Sequence, residues 1–378
     1  MLKIALLFPA LPPTLDGIGD HTARLSSALS SHAEVQVLTA EEDPATIPGV
    51  DIEQAFTLPP RSGVWELIDA VRTDPPDWLF VQFNQFSYGQ WGLNPYFPVA
   101  LWQLKQKVPQ IKIAVMFHED FVPITSWKNA VMTTWQRAQF WALGALSDQV
   151  FFSIEPWVQQ YRSWWPGKPV HHLPVGSNIP MIEANRSKIR AALGIDDATF
   201  VMGVFGSLRA SRLVGHIRAA AEAVLRQTDD ALLLYIGPHG QAFTEEMNSL
   251  PVVNAGRLPA EEVSRHFQAM DVHLAPFIDG ASTRRGSFLT GLQHAVCSVS
   301  TSGPLTDELL MAQHADAFIL PPVGNKPAFA KGVVDCYLDP VRRQKIGQAA
   351  QQFYLRNLSF ERAAERVINA LTTVREKV

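Results

Sequence analysis

The chain has 378 residues, 47% of them hydrophobic and 18% charged, and this composition predicts a folded protein of two domains. It excludes a small binding module and a disordered chain. Lys and Arg (32) nearly balance Asp and Glu (36), which argues against nucleic acid as a main partner. Cys297 and Cys336 are the two cysteines, so a disulfide framework is excluded and a reduced, cytoplasmic location is expected.

The first residues form an apolar run that Pro9, Pro12 and Pro13 end. A membrane-spanning helix needs about 20 apolar residues, so we interpret this run as a buried strand and not as a signal peptide. No later segment reaches spanning length without a charge or a proline. Any membrane contact is therefore expected to be peripheral, at the inner face.

Charge and tryptophan content change along the chain. Residues 1–178 carry 11 Lys and Arg against 16 Asp and Glu, and they contain all ten tryptophans. The stretch from His172 to Pro180 is rich in turn-forming residues and has no helical period. We predict a first domain over 1–178 and a second over 179–378.

Short apolar runs alternate with amphipathic stretches in both halves, which is typical of parallel sheets covered by helices. The predicted strands are 3–8, 34–38, 78–83, 112–117, 149–153, 200–205, 231–236, 272–275, 298–301 and 317–320. The predicted helices are 19–31, 96–108, 125–146, 211–227, 259–269, 284–294, 324–337 and 359–374. The fold class is therefore α/β, with two doubly wound, Rossmann-like domains. The last helix either stays on the second domain or crosses back to the first.

Ligands of such sheets bind beyond the carboxyl ends of strands, where loops lead into helix N-termini. The loop after the first strand carries Gly17, Ile18 and Gly19, and Asp20 or Thr22 is expected to cap the next helix. A turn without a ligand is the alternative. A dinucleotide fingerprint needs a third glycine where Thr22 stands, so a bound NAD is disfavoured.

His118 ends the fourth strand of the first half. A buried histidine beside a ligand can orient a hydroxyl or share a proton near neutral pH, whereas the alternative is a histidine that satisfies a loop carbonyl. His118-Glu119 resembles the start of a zinc-binding helix motif, but Val122 stands where the second histidine would be. No metal is expected.

A third loop follows the first strand of the second half. Gly206 and Ser207 offer backbone and hydroxyl donors, and Arg209 and Arg212 offer positive charge. This combination suits a diphosphate, although arginines on a surface turn are the alternative.

A fourth loop leads into the helix predicted at 284. Arg284 and Arg285 stand in its opening turns, where cations oppose the helix dipole. A negative group is therefore expected beside them. A bound phosphate also held by Ser282 and Thr283 is one choice, and the carboxylate of Asp279 is the other.

In this order along the chain, the segments resemble the retaining GT-B glycosyltransferases, particularly the glycosyltransferase family 4 type. The segments that carry the resemblance are the strand and helix around Gly17–Gly19, His118, the loop 206–212, and residues 255–262 and 276–298. The resemblance covers nearly the whole chain. It implies two Rossmann-like domains facing across a cleft, an acceptor on the first and a nucleotide-sugar donor on the second.

The resemblance also implies roles for individual residues. The catalytic residues would be His118 and Asp279. The donor phosphates would be held by Gly17, Ile18, Gly19, Gly206, Ser207, Arg209, Arg212, Ser282, Thr283 and Arg285. Leu258 and Thr290 would contact the base or ribose, and the acceptor would lie against Asn84, Phe86, Tyr88 and Trp91.

The implied activity is that of a hexosyltransferase that moves a sugar from a UDP- or GDP-linked donor with retention of configuration. The implied reaction needs no metal and no cofactor besides the nucleotide sugar. The acceptor is a saccharide, a lipid-linked molecule or a small molecule, and the aromatic loop from Asn84 could instead be core or could dock on a membrane. The sequence gives no indication of oligomeric state.

The chain departs from the family's pattern at the donor site. The family places two glutamates there, and one alignment puts Ser282 and Thr290 at their positions. A second alignment places Asp279 at the first of them. The family's Arg and Lys pair has Arg209 and Arg212 as its nearest substitutes. Two alternatives therefore stay open: an inactive GT-B-like protein that binds a sugar or a partner, and a nucleotide-sugar epimerase.

Overall fold

The computed structural model describes residues 1–58 and 65–373. The chain divides into two compact units. The first unit contains Met1–Val175 and the chain from Phe360 onward, and the second contains Gly176–Ser359. The division lies close to the position at 178 expected from the sequence, and the helix near the C terminus belongs to the first unit. Residue 374, the predicted end of that helix, lies outside the described residues.

The first unit is built on a parallel sheet, ordered β3-β2-β1-β4-β5-β6-β7 within the described residues. The strands are β1 (Lys3–Leu7), β2 (Glu34–Thr39), β3 (Asp51–Gln54), β4 (Trp78–Phe83), β5 (Lys112–Phe117), β6 (Gln149–Phe152) and β7 (Val170–His172). The sequence analysis missed β3 and β7. Both are short edge strands with polar residues, so they lack the apolar runs that predict buried strands.

The helices of this part of the chain are α1 (Gly17–Leu29), α2 (Glu66–Thr73), α3 (Tyr96–Lys107), α4 (Trp127–Leu146) and α5 (Glu155–Tyr161). The strands β4, β5 and β6 follow one another across the sheet in one direction. Because such crossovers are right-handed, α3 and α4 lie on the same face of the sheet, and they pack side by side.

The second unit has its own parallel sheet, ordered β10-β9-β8-β11-β12 in the described part of the chain. Its strands are β8 (Phe200–Phe205), β9 (Ala231–Ile236), β10 (Val252–Gly256), β11 (Val272–Ala275) and β12 (Cys297–Ser300). The bounds of β8, β9 and β11 are those predicted, β12 lies one residue before the predicted 298–301, and the edge strand β10 was not predicted. The predicted strand 317–320 is wrong: within this segment Ile319 forms an isolated parallel bridge with Val299 and no continuous ladder.

The second unit has helices on both faces of its sheet, and the long helix near its end was missed by the sequence analysis. The helices are α6 (Arg186–Ala192), α7 (Val214–Leu225), α8 (Gly240–Met247), α9 (Ala260–Phe267), α10 (Gly286–Gln293), α11 (Glu308–Met311), α12 (Lys326–Leu338) and α13 (Pro340–Asn357). The buried face of α13 includes Gly347 and Ala350, so its apolar period is weak. Two sequence features indicate where this helix starts: Pro340 in its first turn and Asp339 at its N-cap.

The last helix, α14 (Phe360–Thr373), packs against α1 in the first unit. Its buried side chains, Ala364, Val367 and Leu371, join the core cluster that contains Ile4 and Leu25. Helix α14 is therefore part of the core of the first unit.

Each sheet has one point where the chain winds outward in both directions. In the first unit it lies between β1 and β4, and in the second between β8 and β11. Ligands of doubly wound sheets bind beyond the carboxyl ends of the strands at this point. The loops that follow β1, β4, β8 and β11 are therefore the candidate ligand loops, and they contain most of the residues singled out in the sequence.

The second unit is held at the amino end of β11 by one carboxylate. Asp271 accepts hydrogen bonds from Arg186 (2.8 Å), Arg190 (2.7 Å) and Arg343 (3.2 Å). Arg190 is fully buried, and its Nη1 donates to three backbone carbonyls. A buried charge pair of this kind is costly to break, because the remaining charge stays out of water.

We expect Asp271→Asn to lower the free energy of unfolding by about 3–5 kcal/mol, since Arg190 would stay buried without its counter-ion. Asp335→Asn is the matched control. Its partner Lys331 is 73% exposed, so the loss should be about 0–1 kcal/mol. Urea denaturation of the two variants measures the difference, and equal losses would contradict the structural role given to Asp271.

Candidate functional site

The loops after β8 and β11 are joined by backbone hydrogen bonds. Leu213 N–H donates to the Pro276 carbonyl (3.1 Å), and Ile278 N–H donates to the Ser211 carbonyl (2.9 Å). This pairing brings two of the predicted phosphate residues to one ring. The guanidinium carbons of Arg212 and Arg285 each lie 4.6 Å from the centroid of Phe277.

Arg212 is the most deeply buried cation of this cluster, with 7% of its surface exposed. Its Nη2 donates to the Phe205 carbonyl at 2.8 Å, whereas its Nη1 is buried without a hydrogen-bond partner among the described residues. Burial and the charge of Arg285 lower the pKa of Arg212 to about 10, so the group is still charged at neutral pH. Within the described chain, no carboxylate forms a salt bridge with it.

Arg285 differs from Arg212 in having a carboxylate partner. Its Nη2 lies 2.6 Å from Oδ1 of Asp279, and Nη2 of Arg284 lies 2.5 Å from Oδ2 of the same residue. Asp279 thus supplies the negative charge that the sequence requires beside the two arginines. It lies at the site, but both of its oxygens are engaged, and its catalytic role stays a prediction.

Gly206 shapes the approach to Arg212. Its φ is +107°, and a Cβ built there would lie 3.2 Å from Nη2 of Arg212. The hydroxyl of Tyr235 donates to the Gly206 carbonyl (3.0 Å), which fixes the turn. The N–H of Ser207 has no acceptor in the described part of the chain. The loop therefore presents a free backbone donor next to a buried cation.

Two further phosphate candidates, Ser282 and Thr283, are fully buried in the loop before α10. Oγ of Ser282 has no hydrogen-bond partner among the residues described, whereas the N–H of Thr283 donates to Asp307 at 2.7 Å. Arg209 is exposed. The structure thus brings Arg212 and Arg285 together and leaves Arg209 on the surface.

The two residues expected at the base or ribose are placed differently. Thr290 is 1% exposed, and its hydroxyl lies 2.9 Å both from the Gly286 carbonyl and from Oγ of Ser177. Leu258 follows β10 and packs against the core of the second unit. Hydrogen bonds inside the unit thus already occupy the Thr290 hydroxyl.

In the first unit, the glycine segment is not the loop that the sequence predicted. Gly17, Ile18 and Gly19 form the first turn of α1, and the cap is Asp16 instead of Asp20 or Thr22. Its carboxylate accepts from the N–H groups of Ile18 (2.8 Å) and Gly19 (2.9 Å). These amides are the donors that a phosphate would need, so this arrangement disfavours the predicted phosphate contact.

The two glycines of this turn should respond differently to substitution. A Cβ on Gly19 would lie 2.6 Å from the Ala10 carbonyl oxygen, whereas one on Gly17 would meet nothing within 4 Å. We expect Gly19→Ala to lower the free energy of unfolding by about 1–3 kcal/mol through overpacking. Gly17→Ala is the matched control and should change it by at most about 1 kcal/mol. Thermal and urea denaturation measure both; an unchanged Gly19→Ala variant would refute the close contact.

His118 lies at the end of β5 and is 5% exposed. Its Nε2 hydrogen-bonds to Oε1 of Gln82 (2.8 Å), and its ring stands edge-on to that of His21, with centroids 5.0 Å apart. Burial, and then the neighbouring His21, hold the pKa of His118 well below its ordinary value. The imidazole is therefore neutral at pH 7, and Nε2 is assigned as the donor to the amide oxygen.

The sequence analysis missed His21. Its Nδ1 donates to the Val175 carbonyl (2.8 Å), and its ring lies 5.4 Å from that of Phe360. The chain leaves the first unit after Val175 and re-enters it at Phe360. His21 thus contacts His118 and both positions at which the chain passes between the units, Val175 and Phe360. Its signal in the sequence is its position between Asp20 and Thr22, the two predicted capping residues.

Buried neutral histidines make stability depend on pH. Burial lowers the pKa of His21 from 6.5 to about 4, so between these values the unfolded chain binds a proton that the folded chain does not. His21 therefore contributes full stability above pH 6.5 and loses it as the pH falls towards about 4, by about 1.4 kcal/mol per pH unit.

We expect His21→Asn, which keeps a side-chain N–H for the Val175 carbonyl, to reduce this slope. Urea denaturation at a series of pH values measures it. His32→Asn is the control, because His32 is exposed and its loss should leave the slope unchanged. If the free energy of unfolding of both variants changes with pH as it does in the native protein, His21 is not the source of this pH dependence.

The predicted acceptor residues do not share one environment. Phe86 and Trp91 are 55% and 63% exposed, whereas Tyr88 is 1% exposed. The Tyr88 hydroxyl lies 2.9 Å from the Gln82 carbonyl, and its ring stacks on Phe97. Tyr88 is thus a core residue, and this placement disfavours its predicted contact with an acceptor. Asn84 accepts from the Phe86 N–H (3.0 Å) and shapes the turn.

Metal-binding clusters and membrane-spanning helices were both sought among the described residues. No group of three or more His, Cys, Asp or Glu residues able to hold a metal ion occurs in residues 1–58 and 65–373. None of the helices in these ranges is both long and apolar enough to cross a membrane.

The sequence matches no protein-family model and has no significant match among curated proteins. The structure is similar to sucrose-phosphate synthase from Thermosynechococcus elongatus, with 16% identity, a TM-score of 0.75 and 100% of both chains covered. It is similar to a glycosyltransferase from Rickettsia africae, with 12% identity, a TM-score of 0.73, and 100% of this chain and 99% of that one covered. Anabaena HepE in complex with UDP-glucose is a third, with 14% identity, a TM-score of 0.69, and 99% of this chain and 100% of that one covered.

These similarities extend over both units and nearly the full length of the chain. At such low identity they establish the fold and leave the activity open. The predicted α/β class and the resemblance to GT-B glycosyltransferases in fold are confirmed. The chain has the GT-B fold, with two Rossmann-like units.

Proposed function

We propose that the protein is a glycosyltransferase that transfers a sugar from a nucleoside-diphosphate sugar to an acceptor. The observation that carries the proposal is Arg212, a buried guanidinium without a carboxylate partner in the described chain. It lies beside Gly206 at the winding point of the second sheet, where α/β folds bind ligands. A buried cation without a counter-ion is costly, and a diphosphate would offset that cost.

The second support comes from the similar structures. HepE is described in complexes with UDP and with UDP-glucose, the Rickettsia protein is a glycosyltransferase by name, and the Thermosynechococcus protein is by name a synthase of a sugar phosphate. We therefore propose a UDP- or GDP-linked hexose as the donor. Retention of configuration and independence of metal ions and cofactors are parts of the same proposal and rest on the resemblance in sequence.

The proposed chemistry is electrostatic. When the bond between sugar and diphosphate breaks, negative charge grows on the leaving oxygen, and fixed cations in a desolvated site stabilise it. Arg212 is held by the Phe205 carbonyl and the Phe277 ring, so it needs no reorganisation. Arg285 would exchange part of its contact with Asp279 for a phosphate oxygen, and Asp279 would keep Arg284 and Arg285 in place.

We assign His118 a role on the acceptor side in the same proposal. Because Nε2–H of His118 donates its hydrogen bond to Oε1 of Gln82, Nδ1 of the neutral ring is left as an acceptor, suited to orient a hydroxyl of the transferred sugar or of the acceptor. Its lowered pKa fits a neutral hydrogen-bonding group better than a general acid. The acceptor class and a cytoplasmic location stay predictions.

A protein that binds a nucleotide sugar without transferring it is the second candidate. In one of the two alignments with the resembled family, Ser282 and Thr290 stand where that family has two glutamates, and both are buried. Asp279 is held by two arginines. The two candidates share the diphosphate site and differ in turnover, so release of nucleoside diphosphate from a nucleotide sugar distinguishes them.

Titration calorimetry of UDP and GDP against Arg212→Met tests the proposal. We expect affinity to fall about tenfold or more, since a charged hydrogen bond contributes about 1.5–3 kcal/mol. The free energy of unfolding should change by less than about 1 kcal/mol, because the lost hydrogen bond to Phe205 is offset by removal of a desolvated charge.

Arg226→Met is the matched control, since Arg226 is an exposed arginine at the end of α7. It should leave both the affinity and the stability unchanged. Failure of the native protein to bind either nucleotide, or equal affinity of Arg212→Met and the native protein, would overturn the diphosphate site. A large loss of stability in Arg212→Met would assign Arg212 a structural role instead.

A further inference from the structure

Helices α3 and α4 of the first unit turn large apolar side chains towards solvent. Trp102 on α3 is 52% exposed, and Trp127 and Trp141 on α4 are 74% and 54% exposed. Val99 (45%) and Val131 (51%) lie one helical turn from Trp102 and Trp127. The two helices pack side by side on one face of the sheet, and these exposed residues are here called the aromatic face. Large apolar side chains exposed on neighbouring helices indicate an interaction site.

Helix α4 buries two glutamines beside its inward-facing apolar residues Phe140 and Leu143. Its glutamines Gln136 (0% exposed) and Gln139 (7%) point inward. Gln136 Oε1 accepts from the Val122 N–H (2.9 Å), and Gln139 Nε2 donates to the Gly92 carbonyl (2.7 Å). These hydrogen bonds fix the rotation of the helix. The tryptophans therefore cannot turn inward without breaking the contacts that anchor both neighbouring loops.

The charge of these helices has one sign. Neither α3 nor α4 contains an Asp or Glu, whereas together they contain Lys105, Lys107, Lys128 and Arg137. This contrasts with residues 1–178 as a whole, where 16 acidic residues outnumber 11 basic ones. Lys105 pairs with Asp148 (2.9 Å), whereas Nζ of Lys128 lies 5.8 Å from the centroid of the exposed Trp127 ring.

We propose that the aromatic face docks on the interfacial zone of a lipid bilayer that contains anionic lipids. Tryptophan is enriched at the boundary between headgroups and acyl chains, and lysines beside it are attracted to a negative membrane surface. A second copy of the chain fits less well, because self-pairing of this face would bring its cations together. The proposal concerns attachment alone and does not depend on sugar transfer.

Vesicle sedimentation without any nucleotide tests the attachment. The probes are vesicles of phosphatidylcholine alone and of phosphatidylcholine mixed with phosphatidylglycerol. We expect the native protein to bind the mixed vesicles more strongly, with a blue shift of its tryptophan emission. In the double variant Trp102→Ser and Trp127→Ser, the partition coefficient should fall about tenfold or more, because apolar area no longer enters the interface.

The matched control is Leu338→Ser with Val341→Ser, which removes two residues of the second unit that are 61% and 63% exposed. Its partition coefficient should equal that of the native protein. The proposal is overturned if the native protein binds neither vesicle, if the tryptophan variant binds as strongly as the native protein, or if the control loses as much. A dimer in sedimentation equilibrium that the tryptophan variant abolishes would assign the face to a second copy instead. Calorimetry with UDP on the same variants keeps the result separate from the diphosphate site.

Discussion

The candidate site depends on two guanidinium groups held against one aromatic ring. The guanidinium groups of Arg212 and Arg285 each lie 4.6 Å from the Phe277 centroid. Two cations held against the same ring repel each other unless their surroundings stabilise the positive charges. The ring quadrupole contributes about 0.5–2 kcal/mol per contact, and Asp279 compensates Arg285. Arg212 has the ring, the Phe205 carbonyl and the more distant Ser287 hydroxyl (3.4 Å) as its neighbours. A fold that maintains this arrangement without a carboxylate for Arg212 among the described residues is suited to an external anion.

The position of this cluster follows from strand order. Because β9 lies on one side of β8 and β11 on the other, the loops after β8 and β11 flank the point where the chain winds in two directions. Backbone pairing between Ser211 and Ile278 then joins the loops. Residues distant in sequence thus share one site without a motif that spans them. The same geometry in the first unit groups the loops after β1 and β4, and His118 follows the next strand.

The sequence predicted the buried part of the fold well and its edges poorly. Strands such as Trp78–Phe83 and Phe200–Phe205 have the expected bounds, because buried parallel strands are uninterrupted apolar runs. The edge strands Asp51–Gln54 and Val170–His172 were missed, since edge strands need no such run. Helix α13 was missed because small residues, including Gly347 and Ala350, form much of its buried face. Periodicity detects bulky apolar side chains and does not detect close packing of small ones.

The sequence predicted which loops carry the candidate site residues, but it did not predict which side chains of those loops are buried there. Loop position after a strand identified Arg212 and Arg285, but it could not separate them from the exposed Arg209, because burial depends on how the loop pairs with its neighbour. The aromatic loop shows the same limit: Tyr88 and Trp91 have similar sequence surroundings, yet one is 1% and the other 63% exposed.

Two glycine loops that look alike in sequence have opposite electrostatic character. In the first unit, Asp16 occupies the amides of Ile18 and Gly19, and Asp20 adds a second carboxylate in the same turn. In the second unit, the Ser207 amide lies beside the buried cation Arg212. An anion would be repelled from the first turn and attracted to the second. Glycine allows a close approach of the backbone in both turns, and the charge of the neighbouring side chain decides whether an anion is favoured there, which supports the proposed diphosphate site in the second unit.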